Sequence, residues 1–230
     1  MTNRYPTLVI DDFFSNPLQM RYAMQNCEYN VIEDTHPGKR TDNLQFLDSD
    51  LHKFLKTKIL SVFHEQWHLA LTSFNMSIAF EILTPYKDKN DIRNAGIVRT
   101  ETPSEFNGVI FLDEEPDPDA GISLYTKTGE YAKMPDGMID EYKKLYSGKE
   151  VDMDKFQKDY DKLMSYYTES ITIKPKYNRL LMFDGTSFYR CPNFGNQTRH
   201  TMVFSCGISP NANTLYHPPA PLHRVIRSYS

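Results

Sequence analysis

Residues 64–68 (HEQWH) form the local pattern that most directly suggests chemistry. On a helix, H-E-x-x-H presents two imidazoles one turn apart to Zn²⁺, and its glutamate can act as a general base. The string lies in a predicted amphipathic helix from Leu51 to about Leu71, whose apolar stripe includes Leu55 and Val62. At about 100° per residue, both histidines lie away from that stripe. A solvated helix face therefore competes with a zinc hydrolase as the interpretation of this string.

Other nucleophile and ligand signals are sparse. The remaining histidines are scattered, and the sequence holds no G-x-S-x-G and no glycine-rich phosphate loop. Cys191 follows Arg190, whose charge can lower a thiol pKa, although a structural cysteine is the ordinary alternative. The three cysteines are far apart and form no C-x-x-C pair, which argues against a disulfide framework and favours a reducing compartment.

Composition excludes several classes of protein. The chain has 230 residues, 40% apolar residues and a net charge of −4, which is typical of a globular protein. No apolar run approaches the ~20 residues that span a bilayer, so we expect no membrane insertion. No basic stripe suggests nucleic acid, and the polar N-terminus shows no signal-peptide core. We therefore expect a cytoplasmic protein.

The predicted elements give an α+β protein. Helices are expected from Pro17 to about Asn26 and from Leu51 to about Leu71, separated by a stretch, 28–47, that is mostly loop. Period-two or compact apolar runs predict strands at Thr7–Asp11, Ser73–Leu83, Gly108–Leu112, Ile122–Thr126, Ser170–Ile173, Arg179–Phe183 and His200–Gly207. Helices followed by many short strands favour a jelly-roll core.

The same pattern of predicted elements gives the domain organisation. Residues 1–210 are expected to form a single domain, interrupted at about 130–169 by a helical insertion with too little apolar content for a core of its own. Residues 211–230 form a proline-rich tail, expected to lie over the surface or against a partner.

Two segments together resemble a known family. Val98–Gly129 and Tyr177–Gly207 are similar to the two halves of the double-stranded β-helix of 2-oxoglutarate/Fe(II)-dependent oxygenases. The likeness is to the prolyl-4-hydroxylase-like branch common in phages and marine bacteria, which the N-terminal VIDDFFSNPLQMR and the HPGKRT string also resemble. The resemblance implies a double-stranded β-helix core, flanked by N-terminal helices.

The resemblance also implies where a metal site would lie. These enzymes hold Fe(II) with two histidines and one carboxylate. The matching positions here are Arg99, Glu101 and Tyr189, while the basic residue that binds the keto-acid carboxylate corresponds to Arg199. An arginine is a permanent cation that cannot coordinate iron, and Arg99 can pair with Glu101 instead. Arg199 could equally be an arginine at the barrel edge, paired with Glu101 or Asp184.

The sequence therefore predicts an oxygenase-like protein without the iron triad, acting as a non-catalytic binding or structural component, plausibly phage-related. The alternative is an active hydroxylase that uses Fe(II) and 2-oxoglutarate with Glu101 and Tyr189 as unusual ligands. For the non-catalytic protein no cofactor is expected. A small anionic ligand between Arg99 and Arg199, and a protein partner or self-assembly, are predicted instead, in the host cytoplasm or a virion.

The aromatic content adds one further expectation. The chain has 15 Tyr and 14 Phe but a single Trp. Several of these rings, among them Phe106, Phe183 and Phe204, lie within the two matching segments. They are expected to fill the space inside the barrel that a metal and substrate would otherwise occupy.

Overall fold

The computed structural model describes residues 5–31, 38–62, 74–88, 91–100, 103–128 and 135–208. The helices are α1 (Pro17–Gln25), α2 (Leu44–Leu47), α3 (Ser49–Leu60), α4 (Met138–Tyr146) and α5 (Met153–Met164), with a 3₁₀ turn at Ile92–Asn94. The strands are β1 (Leu8–Ile10), β2 (Asn30–Val31), β3 (Gly38–Arg40), β4 (Phe74–Leu83), β5 (Phe106–Phe111), β6 (Ile122–Lys127), β7 (Tyr167–Ile173), β8 (Leu180–Asp184), β9 (Phe188–Arg190) and β10 (Arg199–Ile208).

The strands form two antiparallel sheets. The large sheet has the order β1-β8-β5-β10-β4-β3-β2, and the small sheet has the order β7-β6-β9. One buried cluster joins them, because Val109 and Leu181 of the large sheet pack with Ile122, Leu124 and Ile173 of the small one. Two sheets enclosing a common interior are the jelly-roll arrangement, so the predicted α+β class with a double-stranded β-helix core is confirmed.

Helices cover the outer face of the large sheet. Met20 and Met24 of α1 and Leu55 and Ile59 of α3 are buried against it, in a cluster that includes Phe106. Pro17 occupies the first turn of α1, and the Asp48 side chain accepts a hydrogen bond from the backbone N–H of Leu51 at the start of α3. This cluster is the main core of the protein.

The region 28–47 was expected to be mostly loop, and for its described residues, 28–31 and 38–47, this prediction is wrong. It contains β2, β3 and α2. β3 pairs with β4, where Arg40 lies opposite Glu81, and the Asn43 side chain caps α2 by accepting from the backbone N–H of Gln45. Neither strand has an apolar periodicity of its own. β3 forms because it pairs with β4, and β2 forms because it pairs with β3.

The helix predicted to run from Leu51 to Leu71 begins at Ser49, and its α-helical part ends at Leu60. Residues 63–73, which include the HEQWH string, lie outside the described residues. No helix in the described ranges is long and apolar enough to cross a bilayer.

Hydrogen bonds to a buried asparagine hold the N-terminal segment against the barrel. Asn178, with φ of 59°, accepts from the backbone N–H of Phe14 at 2.9 Å and donates to the carbonyl of Phe14 at 2.8 Å. Its backbone carbonyl also accepts from the N–H of Phe13 at 2.9 Å. Asparagine tolerates this left-handed conformation better than most residues. Here both its backbone and its side chain form hydrogen bonds to the N-terminal segment.

Two helices lie in the predicted insertion. Between β6 and β7, helices α4 and α5 bury Tyr142, Phe156 and Leu163 in a small cluster with Ile97 of the main body. β7 begins at Tyr167, three residues before the predicted strand, because it pairs with β6 as far as Lys127. The division into a domain of residues 1–210 and a tail of 211–230 stays a prediction, since residues 209–230 lie outside the described part of the chain.

Candidate functional site

A cavity of about 170 Å³ lies between the two sheets. Small side chains of the large sheet form its floor, among them Ser77, Ala79 and Ser205, while Ile122 and Tyr189 of the small sheet face them. The expectation that aromatic rings fill the barrel holds only in part, because Phe183 and Phe204 line the cavity but leave its space open. Phe106 instead belongs to the core on the other face of the large sheet.

Four arginines line this cavity. Arg40, Arg99, Arg190 and Arg199 come from β3, the segment before β5, β9 and β10, so their sequence separation spans most of the chain. Among the described residues of the lining, Glu81 is the only carboxylate. A cavity with this balance of charge attracts anions, because the low-dielectric walls strengthen each interaction.

Glu81 forms an ion pair with one of these arginines, Arg40. Its carboxylate accepts from Arg40 Nη2 at 2.5 Å and from Nε at 3.2 Å, and its side chain is only 4% exposed. The strand register sets the pair, since Arg40 of β3 lies opposite Glu81 of β4. The pair is close to neutral, and Arg190 and Arg199 add further positive charge to the cavity wall.

Arg199 is the most deeply buried of the four. Its Nη1 donates to the carbonyl of Ala120 at 3.2 Å and to Cys191 Sγ at 3.0 Å, whereas its Nε has no partner in the described structure. Burial acts to lower the pKa of Arg199, but the nearby Cys191 and Glu81 outweigh it and the pKa is raised. The group is therefore a fixed cation with an unused donor inside the barrel.

Arg99 and Tyr189, two positions that the family resemblance marked for metal ligands, lie side by side. Their backbones exchange N–H···O=C hydrogen bonds of 3.0 and 2.9 Å. Arg99 Nε also donates to the Tyr189 hydroxyl oxygen at 3.2 Å, and the guanidinium lies 5.6 Å from the ring centroid. The structure thus brings these two predicted residues together as a cation–phenol pair.

Arg190 is held by tyrosines. Its Nε donates to the Tyr125 hydroxyl at 2.8 Å and its Nη1 donates to the Tyr160 hydroxyl, while Tyr125 in turn donates to Glu169 at 3.2 Å. Burial raises the pKa of Tyr125 despite the neighbouring cation, so the phenol stays protonated. This network fixes Arg190 between the cavity and helix α5.

Several buried polar atoms near the cavity lack a hydrogen-bond partner. Both amide atoms of Asn107, which lines the cavity, are buried and unpaired in the described structure. The Thr201 hydroxyl, opposite Glu81 on β10, is also unpaired. Leaving such groups unpaired costs about 1–3 kcal/mol each. Their persistence around one cavity is typical of a site that a polar ligand or water completes.

The donor set of the cavity does not fit Fe(II). Within the described ranges, no group of three or more His, Cys, Asp or Glu side chains is placed to hold a metal ion. Arg99 cannot coordinate, Glu101 lies outside the described residues, and His200 points away from Arg199 to pair with Asp113 at 2.7 Å. A single phenol beside several guanidinium groups is a poor site for a divalent cation.

The sequence pointed to Arg99, Tyr189 and Arg199 but not to Arg40, Arg190 or Asn107. A signal was present, because Glu81 and Asn107 are isolated polar residues inside apolar strands. The suggested pairing of Arg199 with Asp184 is wrong, because Arg199 contacts Ala120 and Cys191, while Asp184 accepts from the backbone N–H of Tyr5 at 2.9 Å. The Glu101 alternative lies outside the described residues.

Solved structures show the same fold. A prolyl hydroxylase from Trichoplax adhaerens, in complex with a hypoxia inducible factor peptide, is 9% identical with a TM-score of 0.53, covering 90% of this chain and 84% of that one. The epimerase SnoN, in complex with Fe³⁺, α-ketoglutarate and nogalamycin RO, is 6% identical with a TM-score of 0.54, covering 89% and 79%. A Phytophthora capsici prolyl 4-hydroxylase is 13% identical with a TM-score of 0.44; the match covers 92% of this chain, which spans 62% of that protein's length.

Identities this low establish the architecture and not the activity. No curated protein matches this chain. A family model, described as a family of unknown function (DUF6445), matches residues 1–201. The chain therefore belongs to DUF6445 and has the fold of the 2-oxoglutarate/Fe(II) oxygenases.

Proposed function

We propose that this protein is a non-catalytic, metal-independent binding protein that holds a small anion inside an oxygenase-like barrel. The observation that supports this proposal is the charge of the cavity, where four arginines face a single carboxylate among the described lining residues. Because Glu81 is already paired with Arg40, the described lining offers no unpaired carboxylate that would compete with an anion for Arg190 and Arg199.

The arrangement of donors supports an oxyanion rather than a halide. Arg199 offers its unpaired Nε, and Asn107 offers an unpaired amide, so a ligand with several oxygen atoms can accept from more than one group. Guanidinium groups match carboxylate, phosphate and sulfate in geometry as well as charge. A small carboxylate or an inorganic oxyanion is the ligand class that these groups recognise best.

The same cations disfavour the alternative of an active hydroxylase. Iron would have to bind next to Arg99 and within a cavity that already holds Arg190 and Arg199. Each permanent positive charge raises the free energy of a bound dication, and the described lining residues offer no imidazole in return.

Ligand binding and metal content test this proposal together. Purified protein is assayed for iron by mass spectrometry, and its thermal unfolding is followed with succinate, phosphate or sulfate. Neutral succinamide serves as the control. We expect substoichiometric iron and a rise in the unfolding temperature with at least one oxyanion, reduced by salt. Stoichiometric iron with turnover of 2-oxoglutarate would establish the hydroxylase instead.

A matched pair of variants locates the anion. Arg199→Gln keeps the shape of the side chain but removes the cation, and we expect it to weaken oxyanion binding about tenfold or more. Arg21→Gln removes a surface arginine that pairs with Glu114 and is expected to bind like the parent. Equal binding by all three proteins would place the anion outside the cavity.

The wider setting of the protein stays a prediction. A protein partner or self-assembly, a phage-related assembly and a cytoplasmic or virion location were all inferred from the sequence. Loop 113–119 and the tail at 211–230 are the segments we propose as contact surfaces. Light scattering of the purified chain tests self-assembly directly, and a strict monomer would leave the binding function without a structural role.

A further inference from the structure

Cys191 lies in the wall of the cavity and is held in place by its surroundings. Its Sγ is 3.0 Å from Arg199 Nη1 and 3.0 Å from the carbonyl oxygen of Asn193. Its own carbonyl accepts from the backbone N–H of Gly96 at 2.9 Å, and a Cβ at Gly96 would lie 3.0 Å from that oxygen. The sulfur is therefore fixed, partly exposed and adjacent to a guanidinium.

The other two cysteines are in different surroundings. Cys27 donates to the carbonyl of Ala23, and burial together with the Asp48 carboxylate raises the pKa of its thiol. Cys206 is fully buried in the core, where burial raises its thiol pKa strongly. A raised pKa makes a thiol a poorer nucleophile at neutral pH. Neither of these two cysteines lines the cavity.

A second feature of the cavity points to a ligand next to the sulfur. Asn107 is 4% exposed, and both of its amide atoms lack a partner in the described structure. Arg199, which contacts the sulfur directly, is 7% exposed and keeps an unpaired Nε. These groups can bind the charged end of a small molecule while its other end reaches Cys191.

We propose that Cys191 is a modification site for small anionic electrophiles, a role that rests on the anion-binding function proposed above. The arginines bind the carboxylate of the reagent and hold its electrophilic carbon near the sulfur. In the reaction a carbon–sulfur bond forms, the leaving group departs with its electron pair, and the thiol proton passes to solvent. Charge steering of this kind raises reaction rates by about 10- to 1,000-fold.

Competitive alkylation of the full chain tests the proposal. The folded protein is treated with iodoacetate, which is anionic, or with iodoacetamide, which is neutral and nearly the same size. Peptide mass spectrometry then gives the rate at each cysteine. We expect the iodoacetate-to-iodoacetamide rate ratio to be at least about tenfold higher at Cys191 than at Cys27, and succinate to slow the reaction at Cys191 only.

Two variants connect this preference to the guanidinium. Arg199→Gln is expected to lower the rate ratio at Cys191 about tenfold, whereas Arg199→Lys, which keeps the charge, is expected to retain most of it. A circular dichroism spectrum confirms that each variant is folded. Equal rate ratios at Cys27 and Cys191 in the parent protein, or an unchanged ratio in Arg199→Gln, would overturn the proposal.

Failure of this inference can be distinguished from failure of the proposed function. If oxyanions raise the unfolding temperature but Cys191 shows no preference for iodoacetate, the cavity binds anions and the modification site is wrong. If Cys191 prefers iodoacetate without any thermal stabilisation by oxyanions, the arginines direct anionic reagents to the sulfur but hold no anion stably, so the proposed binding function is wrong and only the charge preference of Cys191 remains. If neither effect is seen, both proposals fall.

Discussion

The Nε of Arg99 donates a hydrogen bond of 3.2 Å to the hydroxyl of Tyr189, and the backbones of the same two residues are joined by a reciprocal pair of hydrogen bonds. In a hydrogen-bonded antiparallel pair the two Cα atoms are about 5.5 Å apart, so side chains at these positions reach a common point. The sequence resemblance to the oxygenases predicted iron-ligand positions at these two residues.

This geometry predicts that metal affinity can be introduced. In the double variant Arg99→His/Tyr189→His, two imidazoles replace a cation and a phenol at neighbouring positions, and the repulsion of a dication by Arg99 is removed. We expect Ni²⁺ or Co²⁺ to bind at least about tenfold more tightly than to the parent, as measured by calorimetry. Each single variant is the control, and no gain over the single variants would show that the two side chains do not converge.

The unpaired amide of Asn107 predicts a conflict between stability and binding. Asn107→Leu replaces two unsatisfied buried polar atoms by an apolar group of similar size, and we expect the free energy of unfolding to rise by about 1 kcal/mol without ligand. Oxyanion stabilisation should fall in the same variant. Urea unfolding with and without succinate measures both effects, and a loss of stability comparable to that of Asn107→Ala would contradict the interpretation.

An exposed charge cluster gives the pH dependence of stability a specific source. Asp11 accepts from Arg179 Nε at 2.6 Å and from Lys176 Nζ at 2.9 Å, and the hydrogen bond from Arg179 lowers the pKa of Asp11 to about 2. A carboxylate with a lowered folded-state pKa stabilises the fold above its unfolded pKa of 3.8 and loses this effect as the pH falls towards 2.

We therefore expect Asp11→Asn to destabilise the protein at pH 7 by less than about 1 kcal/mol, because the pair is partly exposed and screened. The difference from the parent should shrink between pH 4 and pH 2. Urea unfolding across this range measures it. Asp12→Asn is the control, since Asp12 has a positive φ that asparagine tolerates equally well. A pH-independent difference would show that Asp11 acts through packing rather than charge.

Asn178 is expected to be one of the most sensitive polar positions. Asn178→Ala leaves the N–H and carbonyl of Phe14 buried without partners and places alanine at a φ of 59°. We expect a loss of about 3 kcal/mol in the free energy of unfolding. Asn178→Gly removes the same side chain without the backbone strain, so it should recover about 1 kcal/mol of that loss. Equal losses in the two variants would mean that the strain is negligible.

The parts of the fold that the sequence predicted are those determined by local pattern. β4, β5 and β10 carry apolar runs long enough to identify, and their structural bounds differ from the predicted ones by at most two residues. β3 and β9 have three residues each and exist because longer strands pair with them. β1 is as short but lies in an apolar run, Leu8–Ile10, whereas neither β3 nor β9 has a run or alternation long enough to identify a strand.

The site was predicted only in part for a related reason. Arg99, Tyr189 and Arg199 were found through similarity to a family whose strands have the same order. Arg40 enters the cavity because β3 pairs with β4 in one register, and a shift of one residue would turn its side chain to the other face. The presence of Arg40 in the cavity and its pairing with Glu81 are therefore set by strand register, which the sequence alone does not display.

The tyrosine contacts of Arg190 have a consequence for the helical insertion. Arg190 belongs to the cavity wall and also donates to Tyr160 on α5, so one guanidinium serves both the cavity and a helix. We expect a ligand that binds Arg190 to restrict the motion of its side chain. Because the same side chain contacts Tyr160, local opening of α5 should then cost more free energy. Backbone amide hydrogen exchange in α5 should then slow when the barrel is occupied, which makes these helices a built-in reporter of occupancy.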